Sequence, residues 1–224
     1  MRRAVLALAV ASVITVACVH GRAYAQEPPA PLPRIVVDLH GIIPVFPNDN
    51  AQLANSRFVS DQARQLSVGE LPGAGFGGRV GVHLYLFKWK AMTIGLGGEV
   101  LVGRSTSTPT DTTSGLVAVT ERLTSADGQV SFNFGSAHGW SYLSGGMGRS
   151  QWSIVPAGLP PATADAESLP TANYGGGAHW SIKRHLGFSL DFRLYEIQPG
   201  TPTSTGPGSP RTRLLVAGAG IFLK

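Results

Sequence analysis

Hydrophobic residues occupy every second position in the segment FGGRVGVHLYLFKWKAMTIGLGGEVLV, which runs from Phe76 to Val102. The apolar set includes Val80, Val82, Leu84 and Leu86, and the intervening set includes Arg79, Gly81, His83 and Tyr85. Successive side chains of a β-strand point to opposite faces of a sheet, so this pattern predicts strands with one apolar and one polar face. The short sequence KWK between two such runs indicates a hairpin.

The same alternation recurs along the chain and predicts eight strands. Their approximate spans are 34–46, 76–88, 91–105, 123–136, 140–154, 171–184, 186–199 and 212–223. The clearest is 186–199, where Leu, Phe, Leu, Phe and Leu alternate with Gly, Ser, Asp, Arg and Tyr. Near its end the last strand is apolar at odd and even positions alike, so the pattern leaves open whether Phe222 or Leu223 faces outward.

The predicted connections alternate between short and long. KWK, AHG and KRH follow the even-numbered strands, while segments 47–75, 106–122, 155–170 and 200–211 follow the odd-numbered ones. All short turns therefore lie at one end of the sheet, as in bacterial outer-membrane barrels, and the strands have the ~9–11 residues needed to cross a membrane. We predict an all-β fold, an eight-stranded antiparallel up-and-down transmembrane β-barrel with short periplasmic turns and long extracellular loops.

The composition of the polar face indicates which face meets lipid. In a soluble exported β-barrel or sandwich, the alternative fold, this face would meet water and carry many Lys and Glu. Here it carries mainly Gly, Ser, Thr, Asn, Tyr and a few charges of both signs, which suits a narrow barrel interior filled by paired polar groups. The predicted interior polar cluster comprises Asp38, His40, Arg79, His83, Tyr85, Glu99, Asp127, Asn133, His179, Asp191, Arg193 and Tyr195.

The N-terminus has the features of a secretory signal peptide, because Arg2 and Arg3 precede an apolar run and AYA precedes Gln26. We expect cleavage near Ala25; an uncleaved anchor and lipid attachment at Cys18 are the alternatives. Cleavage removes three arginines and lowers the formal net charge from +5 to +2, so the basicity does not indicate nucleic-acid binding. The predicted organisation is a signal peptide (1–25), a Pro-rich leader (26–33) and an outer-membrane barrel domain (34–224).

Three sequence features carry a resemblance to a known family. They are AYAQ, the hairpin GGGAHWSIKRHLGFSLDFRLYEI and the glycine-rich last strand LLVAGAGIFLK. Residues 34–224 resemble the small eight-stranded outer-membrane barrels of the OmpA/OmpX type. That family commonly ends in an aromatic residue recognised by the barrel-assembly machinery, whereas this chain ends IFLK, with Phe222 third from the end.

Aromatic residues lie near both predicted ends of the barrel. Trp89 and Trp140 are at short turns, and Trp152 and Tyr174 are near the long loops. These positions are consistent with the aromatic girdles that flank the apolar band of outer-membrane barrels.

No pattern in the chain points to a catalytic, cofactor or metal site. GAGFGG (residues 73–78) fits G-x-G-x-x-G but precedes a strand, whereas a nucleotide-binding motif opens a helix. His40, His83 and His179 share the predicted interior face, where we interpret them as hydrogen-bonded filling and not as metal ligands. We therefore expect no catalytic residues, no cofactor and no metal.

The expected function is a structural or surface-interaction role without catalysis. Loops 47–75 and 106–122 are the predicted sites for extracellular partners, since recognition concentrates on loops held by rigid scaffolds. The other expected partners are outer-membrane lipid and the barrel-assembly machinery, and the protein is expected to be a monomer that binds no nucleic acid. The alternatives are a narrow pore or lipid/solute-binding barrel and a lipid-modifying enzyme.

Overall fold

The computed structural model describes residues 30–59, 64–109, 115–161, 163–202 and 207–224. The predicted signal peptide and the first part of the predicted leader lie outside the described residues. Among the residues that are described, no helix is long and apolar enough to cross a membrane.

Eight long strands of the described chain form one closed antiparallel barrel. They are β1 (Ile35–Val45), β2 (Phe76–Trp89), β3 (Met92–Ser107), β4 (Val119–Ser136), β5 (Gly139–Pro156), β6 (Ser168–Ser181), β7 (Leu186–Ile197) and β8 (Thr212–Leu223). Each strand pairs with the next along the chain, and β1 pairs with β8 from Val37↔Leu223 to Val45↔Leu215. The predicted up-and-down topology is confirmed, and closure leaves no unpaired edge in the barrel.

The strand bounds differ from the prediction mainly at the start of β4, after the second long loop, and at both ends of β6. β4 begins at Val119 and not at 123, since residues 119–122 pair with 153–156 of β5 above the predicted end of the hairpin. β6 spans 168–181 and not 171–184, because Ile182 and Lys183 close the following turn by donating to the carbonyl of Leu186. Side-chain alternation does not show where a hydrogen-bonded ladder stops.

Apolar side chains cover the outside of the barrel. Leu39, Val100 and Phe192 are 53%, 51% and 59% exposed, although each lies in the middle part of a paired strand. A continuous exposed apolar surface of this kind marks contact with an apolar medium, and only helices or closed barrels satisfy their backbone groups in lipid. In the last strand Phe222 is fully buried and Leu223 is exposed, which resolves the facing that the sequence left open.

Two of the four aromatic residues assigned to the girdles point inward. Trp140 and Trp152 are each 3% exposed, whereas Trp89 is 64% exposed and Tyr174 also faces outward. The girdle interpretation is wrong for Trp140 and Trp152, because both share the inward parity of β5. Inside the barrel each indole N–H has a partner, the Tyr85 hydroxyl at 3.2 Å and a Glu121 carboxylate oxygen at 3.3 Å, respectively.

The barrel interior is layered along its axis. Near the short turns lies an apolar cluster, the lower plug, formed by Val36, Tyr85, Trp140 and Phe222. A polar layer lies above it. Near the long loops lies a larger apolar cluster, the upper core, which includes Leu101, Leu123, Trp152, Ile154, Leu214 and Val216. The predicted polar interior is therefore correct for the middle layer and wrong for the end beneath the long loops.

The first long loop, residues 46–75, folds over the upper core, and we call it the loop cap. It contains the helix α1 (Ala51–Asn55), a short hairpin that pairs 58–59 with 64–65, and a 3₁₀ turn at 68–70. The Asn50 side chain caps α1 by accepting from the Leu53 N–H at 3.1 Å. Leu53, Leu66 and Leu71 are buried and belong to the upper core, so the apolar residues of this loop face the barrel.

Candidate functional site

The centre of the polar layer is a cluster of two arginines and two carboxylates from β2, β3 and β7. Arg79 contacts Asp191, and Arg193 Nε lies 3.2 Å from Asp191 Oδ1 and 3.6 Å from Glu99 Oε2. All four side chains are buried. Ionised groups away from water are stable only when paired, so each charge here depends on the others.

Neutral side chains complete the hydrogen bonding of this cluster. The Tyr142 hydroxyl donates to Asp191, and the Tyr195 hydroxyl donates to Glu99 at 2.6 Å. The Arg193 guanidinium donates to Asn173 Oδ1 at 2.9 Å and to Ser144 Oγ at 2.8 Å. Tyr142 and Ser144 were absent from the predicted cluster because β5 is glycine-rich and alternates weakly. The signal that would have found them is that they alternate with the apolar residues Leu143 and Met147, which are exposed.

Three histidines connect the arginine cluster to the lower plug. His179 Nε2 lies 2.9 Å from Asp38 Oδ1, and His83 Nε2 lies 3.3 Å from Asp38 Oδ2. His40 accepts from Arg79 at Nδ1 and contacts the Ser189 hydroxyl through Nε2. Within the described residues, no group of three or more His, Cys, Asp or Glu side chains has the arrangement of a metal site.

The structure places all twelve residues of the predicted cluster inside the barrel and divides them into groups. The connected network holds Asp38, His40, Arg79, His83, Glu99, His179, Asp191, Arg193 and Tyr195. Three members lie apart from it. Tyr85 belongs to the lower plug, Asp127 accepts from Ser125, and Asn133 donates to Ser131 and to the Thr93 carbonyl.

Inward-facing glycines make room for the large interior side chains. A Cβ at Gly187 would lie 2.2 Å from the Phe222 ring, and a Cβ at Gly95 would lie 2.7 Å from the Tyr85 ring. Both distances are too short for real contacts, so these positions exclude larger residues. Trp140 stacks on His179 with ring centroids 4.5 Å apart, which joins the lower plug to the polar layer.

An ion pair between the partly exposed Arg64 and the buried Glu70, which we call the latch, fastens the loop cap. Arg64 donates to both carboxylate oxygens of Glu70 at 2.8 and 2.7 Å, and the Ser67 and Val117 N–H groups each donate to Glu70 at 2.8 Å. Burial acts to raise the pKa of Glu70, but these hydrogen bonds outweigh it and lower the pKa to about 2. Because Val117 lies in the second long loop, the latch joins two loops.

The remaining long loops are joined in a similar way. Arg57 Nε of the loop cap lies 3.3 Å from Asp165 in the third loop. Glu167 of the third loop accepts from the Thr201 hydroxyl at 2.6 Å and from the Thr201 N–H at 2.9 Å, and these bonds lower the pKa of Glu167. All four long loops therefore take part in one connected surface over the barrel mouth.

Comparison with known proteins supports the fold. No protein-family model and no curated protein matches the chain. Among solved structures, Neisserial surface protein A (NspA) has a TM-score of 0.54 at 11% sequence identity, over 86% of this chain and 97% of that one. The outer membrane protein OprG from Pseudomonas aeruginosa has a TM-score of 0.47 at 10% identity, over 87% and 97% of the two chains.

The chain has the fold of the small eight-stranded outer-membrane β-barrels. This fold and the exposed apolar belt together identify an outer-membrane protein. Short turns of two to four residues then lie at the periplasmic end, and the joined long loops lie outside.

Proposed function

We propose that this protein is a closed outer-membrane barrel with a structural or surface-interaction role, which acts through the outer surface of its joined loops and performs no catalysis. The observation that carries the proposal is the sealed interior, in which a network of buried ion pairs lies between two apolar clusters. A closed barrel leaves the loops as its variable, water-facing surface.

The filled interior argues against a pore. A solute would have to pass the upper core, the paired arginines and the stacked rings of Trp140 and His179. The gap lined by His83, Tyr85 and Tyr142 among others leaves no room for a water molecule. An interior of eight strands is just wide enough for side chains, so opening it would require these buried groups to lose their partners.

The pair formed by Ser189 and His40 resembles a nucleophile and its base but has the wrong orienting group. In hydrolases a carboxylate accepts from histidine Nδ1–H, which leaves Nε2 free to take the serine proton. Here Arg79 donates to His40 Nδ1, so Nε2 carries the hydrogen and donates toward Ser189. The pair is also buried, which supports a packing role for it.

The exposed part of the loop cap offers mostly neutral hydrogen-bonding groups. Asn48, Gln52, Asn55 and Gln65 are exposed, together with the charged Asp49. Amide side chains donate and accept, so this surface is suited to a polar partner bound by many weak hydrogen bonds.

Cysteine labelling on intact cells tests the surface exposure of the loop cap. The only cysteine, Cys18, lies in the predicted signal peptide, so single cysteines can be introduced on a clean background. Gln52→Cys is expected to react with a membrane-impermeant maleimide. The matched control Arg184→Cys, in a short turn, is expected to react only after cells are opened. Labelling of Arg184→Cys and not Gln52→Cys on intact cells would reverse the orientation.

Planar-bilayer recording tests the closed state. Protein purified from membranes is expected to give no discrete conductance steps, and a variant without residues 48–73 is expected to stay silent because the lower plug and the polar layer remain. Reproducible steps from the wild-type protein would contradict the closed-barrel role. Incubation with phospholipid and lipopolysaccharide provides the corresponding enzyme test, in which any acyl transfer or release would contradict a non-catalytic role.

A further inference from the structure

Two arginines face each other on the outside of the barrel. Arg104 of β3 and Arg122 of β4 are direct cross-strand partners, and both are exposed. Like charges directly opposite each other destabilise a sheet unless something neutralises them. Within the described residues, the outward positions of β2 to β6 contain no Asp or Glu. No outward side chain in the described parts of these strands therefore supplies a countercharge for this pair.

The arginine pair lies at the outer edge of the apolar belt. Below Arg104, the outward positions of β3 from Val102 down to Met92 are all uncharged, a span of about the 9–11 residues that cross the hydrocarbon. On β4 the same holds from Thr124 to Phe134. With the long loops outside, both guanidinium groups lie at the level of the outer-leaflet headgroups.

A third arginine at the same end of the barrel shows the contrast. Arg213 of β8 also faces outward, but its Nε lies 2.6 Å from Glu196 of the neighbouring strand β7. This arginine has an internal countercharge that the Arg104–Arg122 pair lacks. Arg213 thus forms an ordinary surface ion pair, whereas the Arg104–Arg122 pair is arranged for an external anion.

A shallow depression lies lower on the same two strands, six residues along the chain from each arginine. Gly98 and Gly128 are direct partners on the outward face, with Ala126 above them and the exposed side chain of Met147 beside them. A Cβ added at Gly128 would meet nothing within 4 Å. The barrel wall is therefore bare here over a width of two strands, and the pairs Val102 with Thr124 and Val100 with Ala126 separate it from the two positive charges.

We propose that Arg104 and Arg122 bind a phosphate group of a phosphorylated glycolipid of the outer leaflet, with one acyl chain lying over Gly98 and Gly128. Guanidinium groups bind phosphate through paired, charge-assisted hydrogen bonds, and one phosphate neutralises both arginines. Arg149 on β5 lies at the flank, where it donates to the Ser168 carbonyl and keeps further N–H groups exposed. A lipid fits better than free phosphate, because the depression lies on the same two strands as the charges, about 20 Å further into the apolar belt along the strands, where an acyl chain of a bound headgroup would run.

Native mass spectrometry in detergent tests this site with purified bis-phosphorylated lipid A as the probe. The double variant Arg104→Gln/Arg122→Gln is expected to bind lipid A about tenfold or more weakly than wild type, as expected for the loss of charge-assisted bonds. The matched control Arg213→Gln is expected to bind like wild type. Equal binding by the double variant and the control would overturn the proposal.

A second variant and two further probes distinguish lipid from free phosphate. Gly128→Leu keeps both arginines and fills the depression, so it is expected to weaken lipid A binding several-fold. Dephosphorylated lipid A and inorganic phosphate at matched concentration are each expected to bind wild type weakly. Saturable binding of inorganic phosphate as tight as that of lipid A would show a free-anion site and overturn the lipid assignment. The boiled and unboiled gel mobilities confirm that each variant is folded.

Discussion

Side-chain direction in this protein follows strand parity more closely than residue type. Trp89 and Trp140 both lie beside short turns, yet one faces lipid and the other stacks on His179 inside the barrel. Tryptophan combines an apolar ring with an N–H donor, so it suits a membrane interface or a polar interior equally well. Parity sets the direction in the glycine-rich β5 as it does in β7. A register shift between Tyr85 and Phe87 reverses it at the end of β2, so Trp89 is exposed although Tyr85 at the same parity is buried.

A charge on the outward face of β7 tests the lipid contact at a single residue. Phe192→Arg is expected to lower the free energy of unfolding by about 2–4 kcal/mol, because a charged side chain near the bilayer midplane loses its hydration. The measurement is denaturant unfolding in lipid vesicles, with Phe192→Leu as the control that preserves the apolar contact. A loss near zero for the arginine variant would place Phe192 away from lipid.

The latch carboxylate has a defined pH dependence. Its folded pKa of about 2 lies below the ordinary value of 4.5, so its stabilisation is complete above about pH 4.5 and is lost as the pH falls toward 2. Glu70→Gln is expected to remove roughly 2 kcal/mol of stability from the loop cap at neutral pH.

Amide hydrogen exchange of Leu66, Leu71 and Val117 in the wild-type protein and the Glu70→Gln variant provides the measurement. The protection of the wild-type cap, measured relative to the intrinsic exchange rate at each pH, is expected to fall below about pH 4.5, and the variant is expected to lose this pH-dependent fall. If the variant keeps the same acid-induced loss of protection, a group other than Glu70 causes that loss.

At the scale of elements, the loop cap shows the largest difference between the predicted and the observed structure. Its sequence AQLANSRFVSDQARQLSVGEL has no sustained helix or strand period, and it was predicted as an exposed partner-binding loop. In the structure its scattered leucines enter the upper core, while most of the exposed residues in the described part of the cap are polar. Sequence periodicity could not reveal this, because the burial arises from contacts with distant strands. The second predicted partner segment, 106–122, belongs to β3 and β4 at its two ends, and residues 110–114 lie outside the described chain.

A buried leucine in α1 tests whether the cap is a packed element. Leu53→Ala is expected to destabilise the cap by about 2–5 kcal/mol while the barrel stays folded, because the lost contacts lie in the upper core. Limited proteolysis within 46–75 is expected to accelerate, with the heat-dependent gel mobility unchanged. The neighbouring Gln52→Ala, which changes an exposed side chain, is the matched control. Equal cleavage of both variants would show that the cap does not depend on this packing.

At the scale of the whole molecule, the barrel could be predicted and its internal layers could not. Alternation and loop lengths predicted eight strands, their order and the inward position of residues such as Asp191 and Arg193. Leu101 and Leu123 share the inward parity of Glu99 and Ser125, yet they form an apolar layer. The loop cap covers the end of the barrel where these two leucines lie and excludes water from it. The alternation within each strand therefore cannot predict that this layer is apolar.

The sealed interior and the apolar exterior define how the molecule works as a whole. Backbone pairing closes the barrel, buried charges pair within it, and the outward face is mainly apolar. Contact with water is thereby confined to the periplasmic turns and the joined loops. The proposed surface role and the proposed glycolipid site both depend on this arrangement.

The most direct test of the central claim is to refold residues 26–224 with and without detergent micelles. Each sample is then run boiled and unboiled on a denaturing gel, with circular dichroism alongside. A lipid-facing barrel is expected to become β-rich only with detergent and to change its mobility on boiling. A β-rich species that forms equally well without detergent would contradict the account, because the apolar belt would then have to be a water-excluded core.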